Sequence, residues 1–179
     1  MSLKPHTLST LISSDAIQGQ ISTLVDDIAA DHESTDFVMI GILRGSFMFL
    51  ADLVRALDAH NLHPRIDFIT LESYFGGMDS TGTVEIKKDI EVDVSGADIL
   101  LVDDILDTGR TLSHAIAHIK VKGARTVQTC TLLDKPARRV VDIEADYVGF
   151  TIEDTFVVGY GLDYESFYRE LPYIAQVHT

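Results

Sequence analysis

The chain holds a single cysteine, half as many basic as acidic residues and no long apolar run, and each shortage removes a class of function. Cys130 has no second thiol to pair with inside the chain. Lying in the apolar run "TCTLLD", it reads as a buried, inert thiol rather than a nucleophile. Fourteen Lys and Arg against twenty-eight Asp and Glu leave a formal charge of −14, so the surface repels nucleic acid and anionic membranes. A local basic pocket for a phosphorylated ligand is still compatible with that balance. No apolar stretch approaches the roughly 20 residues that a bilayer crossing requires. The N-terminus has neither the basic start nor the apolar core of a secretion signal, which makes the cytoplasm the expected compartment. Repeats, linkers and low-complexity tracts are lacking too.

What is there is a composition 46% hydrophobic and 23% charged, which argues for a folded globular protein. A chain of 179 residues can bury a substantial core, and residues 1–179 are read as one domain. Ile17, Ile21, Leu24, Val25 and Ile28 recur at helical spacing, with Ser14 or Asp15 available as the N-cap. "FVMIGIL" (37–43) is a short continuous apolar run of the kind buried parallel strands show. "LRGS" interrupts it before the helical "FMFLADLVRAL", and "RIDFITLES" reads as a further strand. Residues 73 to 83, "SYFGGMDSTGT", have no apolar periodicity and are read as a flexible lid loop, open without ligand. "VEIKKDIEVDV" alternates and pairs, on this reading, antiparallel with the strand before it. "ADILLVDD", a helix from about Thr111 with Leu112, Ile116 and Ile119 on one face, and "TVQTCTLLD" complete the alternation, with Gly123 ending that helix. Strand and helix alternate, so the fold class is α/β with a mainly parallel twisted sheet flanked by helices. The short strands after Pro136 and the N-terminal segment are expected to form a small hood lobe over the sheet edge.

Ligands of such sheets bind at the carboxyl ends of the strands, and three charged or small-residue loops leave such ends: "LRGS", "DDILDTGRT" and "DKPARR". Asp107 to Thr111 is a tight turn into a helix, where N–H groups, the hydroxyls of Thr108 and Thr111, and the close approach allowed by Gly109 suit a phosphate. A strand ending in two acids also marks nucleotide triphosphatases, but the G-x-x-x-x-G-K-[ST] loop they need is missing. Asp103 and Asp104, in front of a phosphate cradle, suit the vicinal hydroxyls of a sugar and can help hold Mg²⁺. His114 and His118 have the i, i+4 spacing of a zinc pair, yet no acidic third ligand stands near them in sequence, and they read as a solvated helix face.

"ILLVDDILDTGRTL" closely resembles the phosphoribosyl-diphosphate (PRPP) motif of type I phosphoribosyltransferases. "GILRGSFMFLADL", "ESYFGGMDSTGTV", "LLDKPARR" and "FVVGYGLDYESFYRELPYIAQV" are similar, in the same order, to segments of the hypoxanthine-guanine members of that family. The resemblance implies the type I fold with its hood and lid, and purine salvage: Mg²⁺-dependent transfer of the 5-phosphoribosyl group to hypoxanthine and/or guanine, giving IMP or GMP and pyrophosphate. It further implies that Asp107, Thr108, Gly109, Arg110 and Thr111 bind the 5′-phosphate and that Asp103 and Asp104 take the ribose hydroxyls. Asp107 is then the general acid/base at purine N7. Leu43, Arg44 and Gly45, whose first peptide bond is cis in many members, form the pyrophosphate loop together with Arg169. Ser73 and Tyr74 open the lid. Lys135 donates to the purine 6-oxo group, Phe156 stacks on the base and Val157 bonds its edge. Asp163 and Asp103 are the implied Mg²⁺ ligands. Many hypoxanthine members carry Glu where this chain has Asp103. Substrates on this reading are PRPP and a 6-oxopurine, with no nucleic acid or membrane partner, in a homodimer or homotetramer.

Singly, Phe156, Asp163 and Arg169 would pass for a core aromatic, a turn acid and a surface base; as an ordered set they do not. A PRPP-sensing regulator on the same fold is the alternative, since fold alone does not separate the two. Such a regulator needs a basic face for nucleic acid and often lacks the acid/base residue, whereas this chain is at −14 and has Asp107. A member acting on another 6-oxopurine, such as xanthine, is the third reading.

Overall fold

The computed structural model describes residues 3–32, 37–74 and 83–178, with the side chains of Ser73, Tyr74 and Thr83 excepted. Six strands form the main sheet in the order β4 (Thr83–Lys88), β3 (Arg65–Tyr74), β2 (Phe37–Leu43), β5 (Asp98–Leu106), β6 (Thr126–Asp134) and β7 (Tyr147–Thr151). All neighbours are parallel except β3 and β4. Helices α1 (Ser14–Asp31) and α2 (Phe47–Leu57) cover one face, and α3 (Arg110–Val121) covers the other. A second, antiparallel sheet joins β1 (Thr7–Ile12), β9 (Ile174–His178) and β8 (Val157–Val158), uniting the two ends of the chain as the sequence suggested.

The continuous apolar runs follow from burial on both faces. Along β2, Phe37 and Met39 enter the cluster under α1 and α2, while Val38, Ile40 and Ile42 enter the one under α3. Alternate side chains of a strand point to opposite faces, so a strand covered on both sides has no polar position to spare. The five periodic positions of α1 are all buried, and so are Leu112 and Ile119 of α3, with Ile116 half-buried beside them.

Several expectations are corrected in detail. The N-cap of α1 is Ser13, not Ser14 or Asp15: Ser13 has extended backbone, and its hydroxyl accepts from the Ala16 N–H at 3.2 Å. β5 does not stop at the acids but continues to Leu106, because Asp103, Ile105 and Leu106 keep their pairing with β6. The stretch read as a loop from residue 73 is partly strand: Ser73 pairs with Val84 and Tyr74 with Thr83, in the antiparallel pairing expected. The remainder of the lid reading, residues 75–82, lies outside the described residues. β4 ends at Lys88, and the Asp67 carboxylate on β3 accepts from the N–H groups of Glu91 (2.6 Å) and Val92 (2.8 Å), tying down the irregular segment that follows. β1 went unread because only Ile12 of its six residues is buried, leaving no alternation to detect.

Candidate active site

The carboxyl ends of β2, β5 and β6 open onto one region, because parallel strands leave their ends on the same side of the sheet. After β2 the chain makes a cis peptide bond between Leu43 and Arg44. Ser46, fully buried, donates from its hydroxyl to the Ile42 carbonyl at 2.6 Å and closes the turn into α2. Gly45 sits against β5 so closely that a β-carbon on it would stand 1.6 Å from Oδ2 of Asp104. Gly161, at φ +101°, closes the same turn from the hood, where a β-carbon would stand 2.0 Å from the Gly45 carbonyl oxygen. Three segments distant in sequence therefore meet at Gly45, where only the Asp104 carboxylate and the Gly161 backbone have room.

On β5, the N–H of Asp104 donates to Asp103 Oδ1, and the N–H of Ile105 to Asp104 Oδ1, both at 3.0 Å. Burial, and then the charge of Asp104, push the Asp103 carboxyl well above the usual carboxylate range. Burial also raises Asp104, opposed by its hydrogen bonds and by the charge of Arg169. Next comes the turn into α3, with Gly109 as N-cap at φ +84°, a conformation open to glycine at little cost. The Asp107 carboxylate accepts from Arg138 Nε at 3.2 Å.

A cleft of about 280 Å³ is lined by Leu43, Arg44, Gly45, Asp103, Asp104, Asp107, Thr108, Gly109 and Thr111, with Ile42, Ile105 and Leu71 among its apolar walls. A hollow of about 300 Å³ adjoins it, bounded by Lys135, Phe156, Val157, Leu162, Asp163 and Arg169. The two share Arg44, Gly45, Asp104, Ile105 and Asp107. Lys135 is 7% exposed, bonds through Nζ to the Thr155 carbonyl, and is pushed down from the usual lysine range by burial, against the pull of Asp107 and Asp154. Phe156 is 51% exposed and packs T-shaped against Tyr164, which leaves ring surface available to a flat ligand. Asp163 is paired with Arg169 at 2.7 Å and accepts from the Ser166 N–H, while Arg169 also donates to the Gly161 carbonyl at 2.6 Å.

Arg110, whose expected part at the phosphate is through its backbone, lines a separate hollow with Val84, Ser113, His114, Ala117 and Val141. Ser73 and Tyr74 end β3, and Leu71, on the same strand, lines the cleft. An acid unseen in the sequence reading does stand beside His118: Asp89, at 2.8 Å and also paired with Lys122. Among the described residues no three His, Cys, Asp or Glu are grouped to hold a metal. Cys130 is fully buried, and burial pushes its thiol up, in keeping with an inert role. No described helix is long and apolar enough to cross a membrane.

The sequence reading missed Arg138 and Arg139. Their only signal was membership in "DKPARR", a loop from which Lys135 alone was singled out.

Residues 13–165 match the profile of the phosphoribosyl transferase domain. The chain is 42% identical over 174 residues to the hypoxanthine phosphoribosyltransferase of Escherichia coli (strain K12), covering 96% of each. A crystal structure of a hypoxanthine-guanine phosphoribosyltransferase from Bacillus anthracis superposes with a TM-score of 0.88 at 43% identity, covering 94% of this chain and 97% of that one. A hypoxanthine phosphoribosyl transferase of Trypanosoma cruzi superposes with a TM-score of 0.90 at 35% identity, covering 99% and 95%. Sheet order, hood, cleft and likeness agree: the chain belongs to the phosphoribosyltransferase family, within its hypoxanthine phosphoribosyltransferases, and is a pentosyl-transferring enzyme.

Proposed function

We propose that the protein serves purine salvage by transferring the 5-phosphoribosyl group of PRPP to hypoxanthine or guanine, with Mg²⁺. The observation that carries this reading is the pair of adjoining hollows with Asp107 in the wall of both. A ribosyl phosphate in the first and a flat base in the second would meet beside that carboxylate.

In this reading the N–H groups and hydroxyls from Asp107 to Thr111 receive the 5′-phosphate, favoured by the positive end of α3. Asp103 and Asp104 accept hydrogen bonds from the ribose hydroxyls. Arg44, the backbone around Gly45 and Arg169 receive the pyrophosphate. Phe156 covers one face of the purine, Val157 offers backbone groups to its edge, and Lys135 donates to the 6-oxo group. As purine N9 bonds to C1′, the bond from C1′ to the pyrophosphate oxygen breaks and its electron pair leaves with that oxygen. The N7 proton passes to Asp107, which the geometry suits for general-base work.

The donor set fits Mg²⁺. Asp103 and Asp104 are adjacent carboxylates on the wall of the first hollow, and Asp163 lies on the wall of the second, so one or two of them would hold the cation. That cation takes one or two carboxylates with substrate phosphates and water, so a cage built wholly of protein is not required. When bound, it would offset the negative charge of the departing pyrophosphate.

The test is pyrophosphate release from PRPP and Mg²⁺, with hypoxanthine, guanine, xanthine and adenine supplied separately. Release with hypoxanthine or guanine but not adenine is expected. Tight PRPP binding without release for any base would sink the assignment.

A further inference from the structure

The carbonyl groups of the phosphate turn are held from behind by one arginine and the segment that carries it. Arg139 Nη1 donates to the carbonyls of Leu106 (2.9 Å) and Asp107 (2.5 Å), and Nη2 is paired with the Asp134 carboxylate. Its side chain is 15% exposed and that of Asp134 17%, so water competes little for this pairing. The N–H groups of Val140 (3.0 Å) and Val141 (3.2 Å) donate to the Thr108 carbonyl, and that of Lys135 to the Leu106 carbonyl at 3.0 Å. Gly109 lies flat on this brace: a β-carbon there would stand 2.6 Å from Ile143 Cγ2 and 3.2 Å from Arg139 Cδ.

In a planar trans peptide, the carbonyl and the N–H that follows it point in opposite directions. Holding the Asp107 carbonyl from behind turns the Thr108 N–H forward, and holding the Thr108 carbonyl turns the Gly109 N–H forward. Both residues line the cleft. The other arm of the guanidinium grips Asp134, the residue before Lys135, so one planar group spans the phosphate turn and the strand end beside the purine hollow. An ammonium has no such fixed fork, and lysine could not hold two carbonyls and a carboxylate in that relation.

We propose that Arg139 is a positioning residue: by gripping the Leu106 and Asp107 carbonyls together with Asp134, it aims the backbone N–H groups of the turn at the 5′-phosphate and sets their distance from Lys135. This rests on the reading of Asp107 to Thr111 as the phosphate cradle. Arg139 itself touches no substrate.

The experiment compares Arg139→Lys, Arg139→Gln and Asp134→Asn with the unaltered enzyme. It reads steady-state kinetics and inhibition by ribose 5-phosphate, which carries the 5′-phosphate, and by inorganic pyrophosphate, which does not. The two Arg139 variants should raise KM for PRPP and weaken ribose 5-phosphate by about tenfold to a hundredfold, the scale of a misplacement near 1 Å, with a smaller fall in kcat. Pyrophosphate inhibition should stay within about threefold, a split that general loosening of the fold would not produce. Asp134→Asn keeps the shape of its side chain and should show the same loss, smaller. If folded Arg139→Lys binds ribose 5-phosphate as the unaltered enzyme does, or loses pyrophosphate equally, the proposal fails. Should both Arg139 variants fail to fold, Asp134→Asn decides, and unchanged ribose 5-phosphate binding in it overturns the proposal. If ribose 5-phosphate does not compete with PRPP even in the unaltered enzyme, the cradle reading falls and the role of Arg139 falls with it, an outcome distinguished by needing no variant.

Discussion

Gly45 and Asp104 approach so closely that the space of a β-carbon on the glycine is already taken by the aspartate carboxylate, 1.6 Å away. A loop after β2 is thereby seated directly on an acid of β5, and nothing larger than hydrogen fits between them. Gly45→Ala must push Asp104 out of place or lift the loop, whose carbonyl is also pressed by Gly161. The variant should fold, and its kcat/KM for PRPP should fall about a hundredfold, as expected for a displacement near 1 Å at a reacting site. Steady-state kinetics with thermal melting as a control checks this.

Asp107→Ala should lower kcat by about 10² to 10⁴, the usual contribution of a positioned proton acceptor. PRPP binding should stay largely intact, because the substitution leaves in place the main-chain carbonyl that Arg139 holds. Calorimetric titration with PRPP beside turnover separates the two. Activity close to that of the unaltered enzyme would remove Asp107 from the proton transfer.

Lys135→Ala should reduce discrimination between hypoxanthine and adenine by about tenfold or more, since a site that requires an acceptor penalises a ligand presenting an amine. KM for PRPP should change much less. The measurement is kcat/KM for each base at saturating PRPP, and equal losses for both bases and PRPP would point to collapse of the site instead.

Asp103→Asn should make the unliganded protein more stable and the enzyme less active. Burial and the charge of Asp104 raise the folded-state pKa of Asp103 above its unfolded value. For a carboxyl raised in this way, the contribution to stability is full below the unfolded pKa and is lost as pH rises through the folded one. Ionising Asp103 therefore costs stability as pH rises, a cost that asparagine removes. A Tm gain of about 2–4 °C corresponds to roughly 1 kcal/mol in a chain of this size. That gain should shrink as pH is lowered, because Asp103 then takes up its proton. Melting curves across the acidic and neutral range test this, and a gain independent of pH would refute the cause.

Much of the architecture could be read from periodicity. The runs 37–43 and 99–102 are continuous because both sheet faces are covered, and the five buried positions of α1 recur with the helix period. β1 escaped because its burial is confined to Ile12, so the pattern that reveals a strand was never present. The end of β5 was misjudged for the opposite reason. Charged residues ordinarily mark a strand's exit, but here pairing with β6 carries the backbone past both acids to Leu106.

The motif from Ile99 to Leu112, the acidic balance and the lone buried thiol were properties of the sequence by itself, since composition and local order are sufficient to express them. Tertiary structure alone decided which side chains share a wall. Gly161 closing on Gly45, Asp89 beside His118 and Arg139 braced behind Asp107 each join residues far apart in the chain. Strand order and crossover set those meetings, and no local spacing encodes them.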